Sequence, residues 1–142
     1  MLKWIDIPPV WLLGFLVAAW LVSPGQGGLN LTGGLIVGTG LVFIFWAAAT
    51  MMAARTTVVP HMRAAELVTT GPFRYSRNPI YLGDALVLTG CLLRWDLLIA
   101  LPAVIVFCWI ITIRFIRPEE ARLREDFGAA FDEWCSKTRR WL

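Results

Sequence analysis

Two groups of polar residues interrupt an otherwise apolar chain, and both are of types that hold small charged ligands. The first, Arg77-Asn78-Pro79-Ile80-Tyr81, lies in a turn-rich stretch that runs from Gly71-Pro72-Phe73-Arg74-Tyr75-Ser76 to Leu82-Gly83. The second is the acidic pair Glu119-Glu120. Arginine offers a planar fork to a carboxylate, glutamate accepts hydrogen bonds from hydroxyl and ammonium groups, and asparagine both donates and accepts. Unlike histidine, Asn78 cannot take up a proton near neutral pH. Each residue also has a plainer reading. Asn78 before Pro79 reads as a helix N-cap, and Glu119 and Glu120 after Pro118 fall where a helix dipole favours carboxylates. Arg74 and Arg77 are suited to anchoring on anionic headgroups.

Asp84 lies one turn beyond the first group, inside an apolar segment. An ionisable residue there is costly and marks function by default, unless water or Arg77 pairs with it. The single histidine, His61, sits beside Pro60 in a loop and reads as solvated, with contact to substrate as the functional alternative. Cys91, Cys108 and Cys135 form neither a CxxC pair nor a Cys/His cluster, so no disulfide framework or metal site is expected.

The elements that must position these residues follow from composition. At 58% hydrophobic and 16% charged residues, with a mean hydropathy of +0.66, the chain departs from a soluble domain and belongs in a bilayer. The expected fold class is all-α: a single domain over residues 1–142, formed by a membrane bundle of about four helices and a C-terminal amphipathic helix. Four segments qualify as spans, at 9–22, 29–54, 80–95 and 97–116. The first is the weakest, with Asp6 near its N-cap and Pro8 and Pro9 in its first turn. A three-span chain with this segment lying flat or removed is the alternative. The third and fourth are joined so closely at Arg94-Trp95-Asp96 that Asp96 reads as the N-cap of the fourth. The tail helix is expected over 118–137, starting at Pro118. Its residues Leu123, Phe127, Phe131 and Trp134 form an apolar stripe that docks on the membrane or the bundle, leaving Arg122, Arg124, Glu125 and Asp132 wet.

Charge sets the orientation. With both termini in the cytoplasm, Arg94 is the only one of the 13 lysines and arginines left outside. The net charge of +3 then reflects topology and attraction to headgroups rather than nucleic-acid binding. In the second span Gly34 and Gly38 have the small-xxx-small spacing of a helix-packing face, which makes the Gly-rich span a candidate surface for homo-oligomers.

The run Leu67-Val68-Thr69-Thr70-Gly71-Pro72-Phe73-Arg74-Tyr75-Ser76-Arg77-Asn78-Pro79-Ile80-Tyr81-Leu82-Gly83, followed by Glu119-Glu120, Phe127-Gly128 and Arg139-Arg140-Trp141, resembles the isoprenylcysteine carboxyl methyltransferase and phospholipid methyltransferase superfamily. The resemblance covers roughly residues 56–142. It implies an integral membrane enzyme that transfers a methyl group from S-adenosylmethionine to a lipophilic or lipid acceptor in the bilayer. The cofactor pocket is expected on the cytoplasmic side. It implies catalytic roles for Arg77 and Glu120, and cofactor binding by Tyr75, Asn78, Tyr81, Leu82, Glu119 and Glu120. Asn78 stands where the superfamily often has histidine, so a general base at that position does not carry over. Two other classes fit the same features. One is a non-catalytic membrane scaffold or subunit, the other a nicotinamide-dependent membrane reductase.

Overall fold

The computed structural model describes residues 7–23, 25, 29–56 and 65–142, and every regular element among them is helical. The chain is an all-α membrane bundle. Helix α1 covers Pro8–Leu21, α2 Asn30–Ala53, α3 Pro79–Arg94, α4 Pro102–Ile111, α5 Arg117–Phe127 and α6 Ala129–Lys137. Asp6 and His61 lie outside the described residues. Two helices are long and apolar enough to cross a membrane by themselves: α2, with 24 residues, and a continuous 30-residue helix over Leu98–Phe127 that contains α4 and α5.

The other two expected spans form helices but are short. At 14 and 16 residues, α1 and α3 fall below the roughly 20 that a hydrocarbon core requires. Helix α3 is the central element, packed against α1, α2 and α4. That position explains how it carries Asp84, Thr89 and two glycines, because its neighbours screen it from lipid. Most of the large exposed apolar residues lie on the outer helices, including Leu13 and Trp20 of α1, Leu35 and Phe45 of α2, and Ile105 and Trp109 of α4. The core between α1, α3 and α4 contains Ala19, Leu88, Leu92, Phe107 and Ile111, with Phe15 edge-on to Phe107 at 5.5 Å.

Helices α2 and α3 run antiparallel and touch backbone to backbone. Gly33 faces Gly90, and Gly40 faces Gly83. A Cβ added at any of the four would lie 2.6 Å from the carbonyl oxygen of its partner. The packing face is therefore Gly33/Gly40, not the expected Gly34/Gly38. A Cβ on Gly34 would meet only the Arg94 guanidinium, at 3.1 Å, and Gly38 faces open space. The spacing of seven residues in both helices keeps one face in register across two turns, which the spacing of four does not do here.

The hairpin between α3 and α4 corrects the reading of Asp96. Its φ of 57° places it in the left-handed region, its N–H donates to the Leu93 carbonyl, and the Leu97 N–H donates to that of Leu92. These paired bonds terminate α3, and the hydrophobic contact that accompanies them comes from Leu92 and Leu97, both in the core. Asp96 is thus the residue that ends α3 rather than the one that caps α4. Arg55 closes α2 in the same way, with φ 53° and bonds from Arg55 N–H to Met52 and from Thr56 N–H to Met51.

The tail also differs from expectation. Pro118 does not start a new helix, because the helix runs through it. A π-helical turn over Thr112–Ile116 precedes it, and the Arg117 N–H donates to the Thr112 carbonyl five residues back. The ladder has thus changed register before it reaches a residue that has no N–H and whose ring crowds the preceding turn. Gly128, with φ 52°, then breaks the tail into α5 and α6. The break lets Phe131 and Trp134 pack against Phe73 and Ala47, with Leu123, Phe127 and Met51 around them. The apolar stripe therefore docks on the bundle. Arg124 reaches across the turn to Asp132 at 2.9 Å.

Candidate functional site

The turn-rich stretch folds as a buried knot at the end of the bundle where α2 finishes and α3 begins. A 3₁₀ turn over Gly71–Arg74 buries Pro72 and Phe73, and the Tyr75 and Ser76 N–H groups both donate to the Pro72 carbonyl. Ser76 has no exposed surface. Its hydroxyl accepts from the Asn78 N–H at 3.1 Å and donates to the Arg140 carbonyl at 3.4 Å. Pro79 then opens α3 with its φ already set for a helix.

Asn78 occupies the N-cap position of α3, but its side chain makes no capping bond. The amide instead donates from Nδ2 to the Arg140 carbonyl at 3.0 Å. The Arg77 N–H bonds the neighbouring Arg139 carbonyl at 2.9 Å. The residues after α6 are thereby laid along the Arg77–Asn78 backbone. Their competing carbonyls displace the capping role that the sequence pattern favours.

Arg77 completes this lacing. Its Nη1 donates to the carbonyls of Cys135 and Thr138, and its Nη2 lies 3.3 Å from Glu120 Oε1. Arg140 grips the same carboxylate with both prongs of its fork, Nε to Oε1 at 3.0 Å and Nη2 to Oε2 at 2.7 Å. Glu120 thus sits between two guanidiniums, and hydrogen bonding to it raises the Arg140 guanidinium above its ordinary pKa. The Glu120 and Arg77 side chains are each 13% exposed, so this is a mostly dry ion cluster rather than a surface pair. Beside it the Tyr81 hydroxyl donates to Glu119 Oε2 at 3.2 Å. Trp141 donates from Nε1 to the Thr112 hydroxyl at 3.3 Å, which ties the same terminal stretch to the π turn.

Arg77, Glu120, Tyr81 and Glu119 line a cavity of about 260 Å³, at the lower edge of small-molecule sites. Its apolar lining includes Ile44, Met51, Leu67, Val68, Phe73, Phe131 and Trp134. Its polar lining brings together Arg77, Asn78, Tyr81, Glu119 and Glu120, five of the residues singled out in the sequence. Tyr75 and Leu82 do not join them. Tyr75 is 61% exposed and packs against Trp46, and Leu82 is buried in the bundle away from the cavity.

Sequence reasoning missed several contributors. Arg122, expected to be wet, is half-buried and lines the cavity with Asp126. Glu119, Arg122 and Asp126 recur at helical spacing on one face of α5, a periodic signal masked by the apolar stripe beside it. Ser76 lies in the turn-rich run but drew no role of its own. Asp84 faces the cavity with Oδ2 buried and without a hydrogen-bond partner; it does not pair with Arg77, whose two Nη atoms turn to Glu120 and the two carbonyls and whose Nε is likewise buried without a partner.

The sequence profile of the phospholipid methyltransferase family matches residues 29–130, most of the chain. The chain belongs to this family. No curated protein and no solved structure matches it. As a family member it is a membrane protein of methyltransferase type, and the matched span holds both the Arg77–Tyr81 block and the acidic pair. Arg140, which completes the ion cluster on Glu120, lies beyond the matched residues.

Proposed function

We propose that this protein transfers a methyl group from S-adenosylmethionine to a lipophilic acceptor that resides in the membrane. What carries the reading is a cavity lined by both charged and apolar side chains, in a chain of this family. The lining fits such a donor. Glu66, Asp84, Glu119, Glu120 and Asp126 outnumber Arg77 and Arg122, which suits a ligand bearing sulfonium and ammonium charges. Tyr81, Phe73 and Trp134 add aromatic surface for a purine. When bound, S-adenosylmethionine supplies an electrophilic methyl group on sulfur.

Glu119, oriented by the Tyr81 hydroxyl, would accept hydrogen bonds from ribose hydroxyls or the ammonium group. Asn78 and Arg77 lie where a carboxylate can be met, and Glu120 fixes Arg77 and Arg140 so that the tail closes the site. The apolar lining would receive the acceptor's hydrocarbon. Alignment of two reactants in such a site supplies much of the acceleration in a displacement of this kind.

The site belongs on the cytoplasmic face in this reading. It lies at the bundle end shared by Arg55, Arg74, Arg77 and Arg117, whereas Arg94 sits at the opposite end of α3. A single cysteine at the exposed position of Lys137, in a background without the three native cysteines, should resist impermeant reagents in intact cells and react after permeabilisation. Labelling from outside would reverse the orientation.

Calorimetry on the detergent-purified protein tests the activity. S-adenosylmethionine and S-adenosylhomocysteine should both bind, reduced nicotinamide dinucleotide should not, and labelled methyl should pass into a total lipid extract. Binding of neither adenosyl compound would defeat the proposal.

A further inference from the structure

Asp84 stands apart from the ion cluster. It lies three residues beyond Tyr81 on α3, about 4.5 Å further along the helix axis, and is 5% exposed. Its Oδ2 is buried without a hydrogen-bond partner, yet the residue lines the cavity. Nothing in the helix requires a carboxylate there. The neighbouring residues, Gly83 and Ala85, are small and buried, and Ile44 of α2 and Ile80 of α3 form nearby lining. An unpaired carboxylate in such a place costs several kcal/mol, so its presence calls for a partner that arrives with a ligand.

Three partners are chemically available in the proposed reaction: the ammonium of the methyl donor, for which Glu119 is already placed, the sulfonium and the acceptor. As the methyl group moves, positive charge leaves the sulfur. A carboxylate beside the sulfur would hold the starting state more firmly than the transition state and would slow transfer. Beside the acceptor atom the balance reverses, because that atom must shed a proton and a carboxylate gains as it does so.

We propose that Asp84 takes the proton from the nucleophilic atom of the acceptor, so that the acceptor is a protic nucleophile, an N–H, O–H or S–H, and not a carboxylate. This rests on the function proposed above. In the step, a lone pair on the acceptor atom X forms the X–CH₃ bond. The S–CH₃ bond breaks with its electron pair remaining on sulfur, which leaves as a neutral thioether. The X–H bond breaks with its pair remaining on X, and the proton passes to Asp84 Oδ2. A carboxylate acceptor has no proton to give, and it would be placed against Asp84 and Glu119, where like charges repel.

The test compares purified wild type with Asp84→Asn and Asp84→Ala. It measures S-adenosylhomocysteine affinity by calorimetry, thermal unfolding, and initial rates of labelled methyl transfer into a total lipid extract with mass analysis of the products. Asp84→Asn should unfold at the same or a higher temperature, since an orphaned charge has been removed, and should bind S-adenosylhomocysteine as wild type does. Its turnover should fall by about 10²–10⁴-fold, the usual contribution of a positioned proton acceptor. Added formate should restore part of the rate to Asp84→Ala, which a purely structural role would not allow. Full turnover in Asp84→Asn, a parallel loss of affinity and turnover, a loss that formate leaves untouched, or wild-type products that are only methyl esters would each overturn the proposal. A wild-type protein that neither binds S-adenosylhomocysteine nor transfers methyl defeats the proposed function itself, and that outcome is read without any variant.

Discussion

Glu120→Ala is expected to lower the stability of the folded protein by about 3 kcal/mol, the low end for removing one partner of a buried ion pair. The low end applies because Arg77 keeps its bonds to the Cys135 and Thr138 carbonyls, and Arg140, whose side chain is 36% exposed, can turn to solvent. The residues after α6 should loosen most. Arg140→Ala should cost less, since it removes the more exposed of the two guanidiniums and leaves the Arg77–Glu120 pair in place. Denaturant unfolding of both variants in detergent, with protease sensitivity of the segment after Lys137, measures the difference. Equal unfolding of Glu120→Ala and wild type would show the cluster to be ornamental to the fold. The order of magnitude exceeds the roughly 0.3–1 kcal/mol of a helix-dipole contact, which is all that the position of Glu120 near Pro118 foretells.

Gly83→Leu should be more damaging still. A Cβ at Gly83 would already lie 2.5 Å from Ile44 Cγ1 and 2.6 Å from the Gly40 carbonyl oxygen. Overpacked cores typically lose about 1–3 kcal/mol when side chains can shift. Here one of the opposing atoms belongs to a backbone, so α2 and α3 must separate and the loss should exceed that range. Gly38→Ala is the matched control, because nothing lies within 4 Å of its added Cβ. The comparison is made by thermal unfolding or by yield of monodisperse protein. A Gly83→Leu variant as stable as the control would refute the close α2–α3 contact.

The positions of the helices were legible because long apolar runs, prolines at first turns and the paired basic stretches are local signals. So was the meeting of the Arg77–Tyr81 block with Glu119 and Glu120, through the resemblance that joins them. What stayed hidden depends on partners distant in sequence. The Asn78 amide is diverted by a carbonyl 62 residues away, and no local pattern announces a competitor. The glycine register could not be chosen from α2 alone, since Gly33/Gly40 and Gly34/Gly38 differ only in what α3 sets opposite them. Pro118 looked like a boundary because the rule for proline presumes an α-helical ladder, and the π turn before it suspends that rule. Tyr75 has the right chemistry for a ligand but follows a 3₁₀ turn that aims it at Trp46.

The four facing glycines also decide which side of the cavity is able to breathe. With backbones in contact at two levels, α2 and α3 behave as one stiff plate, and no side-chain rotation can part them. The opposite side hangs from a helix with a π turn, turns again at Gly128, and is held by the Glu120 ion cluster and by Phe131 and Trp134 packed on Phe73 and Ala47, contacts between side chains rather than between backbones. In the proposed reaction, opening of the cavity would therefore fall to α5 and α6, moving against a fixed α2–α3 plate.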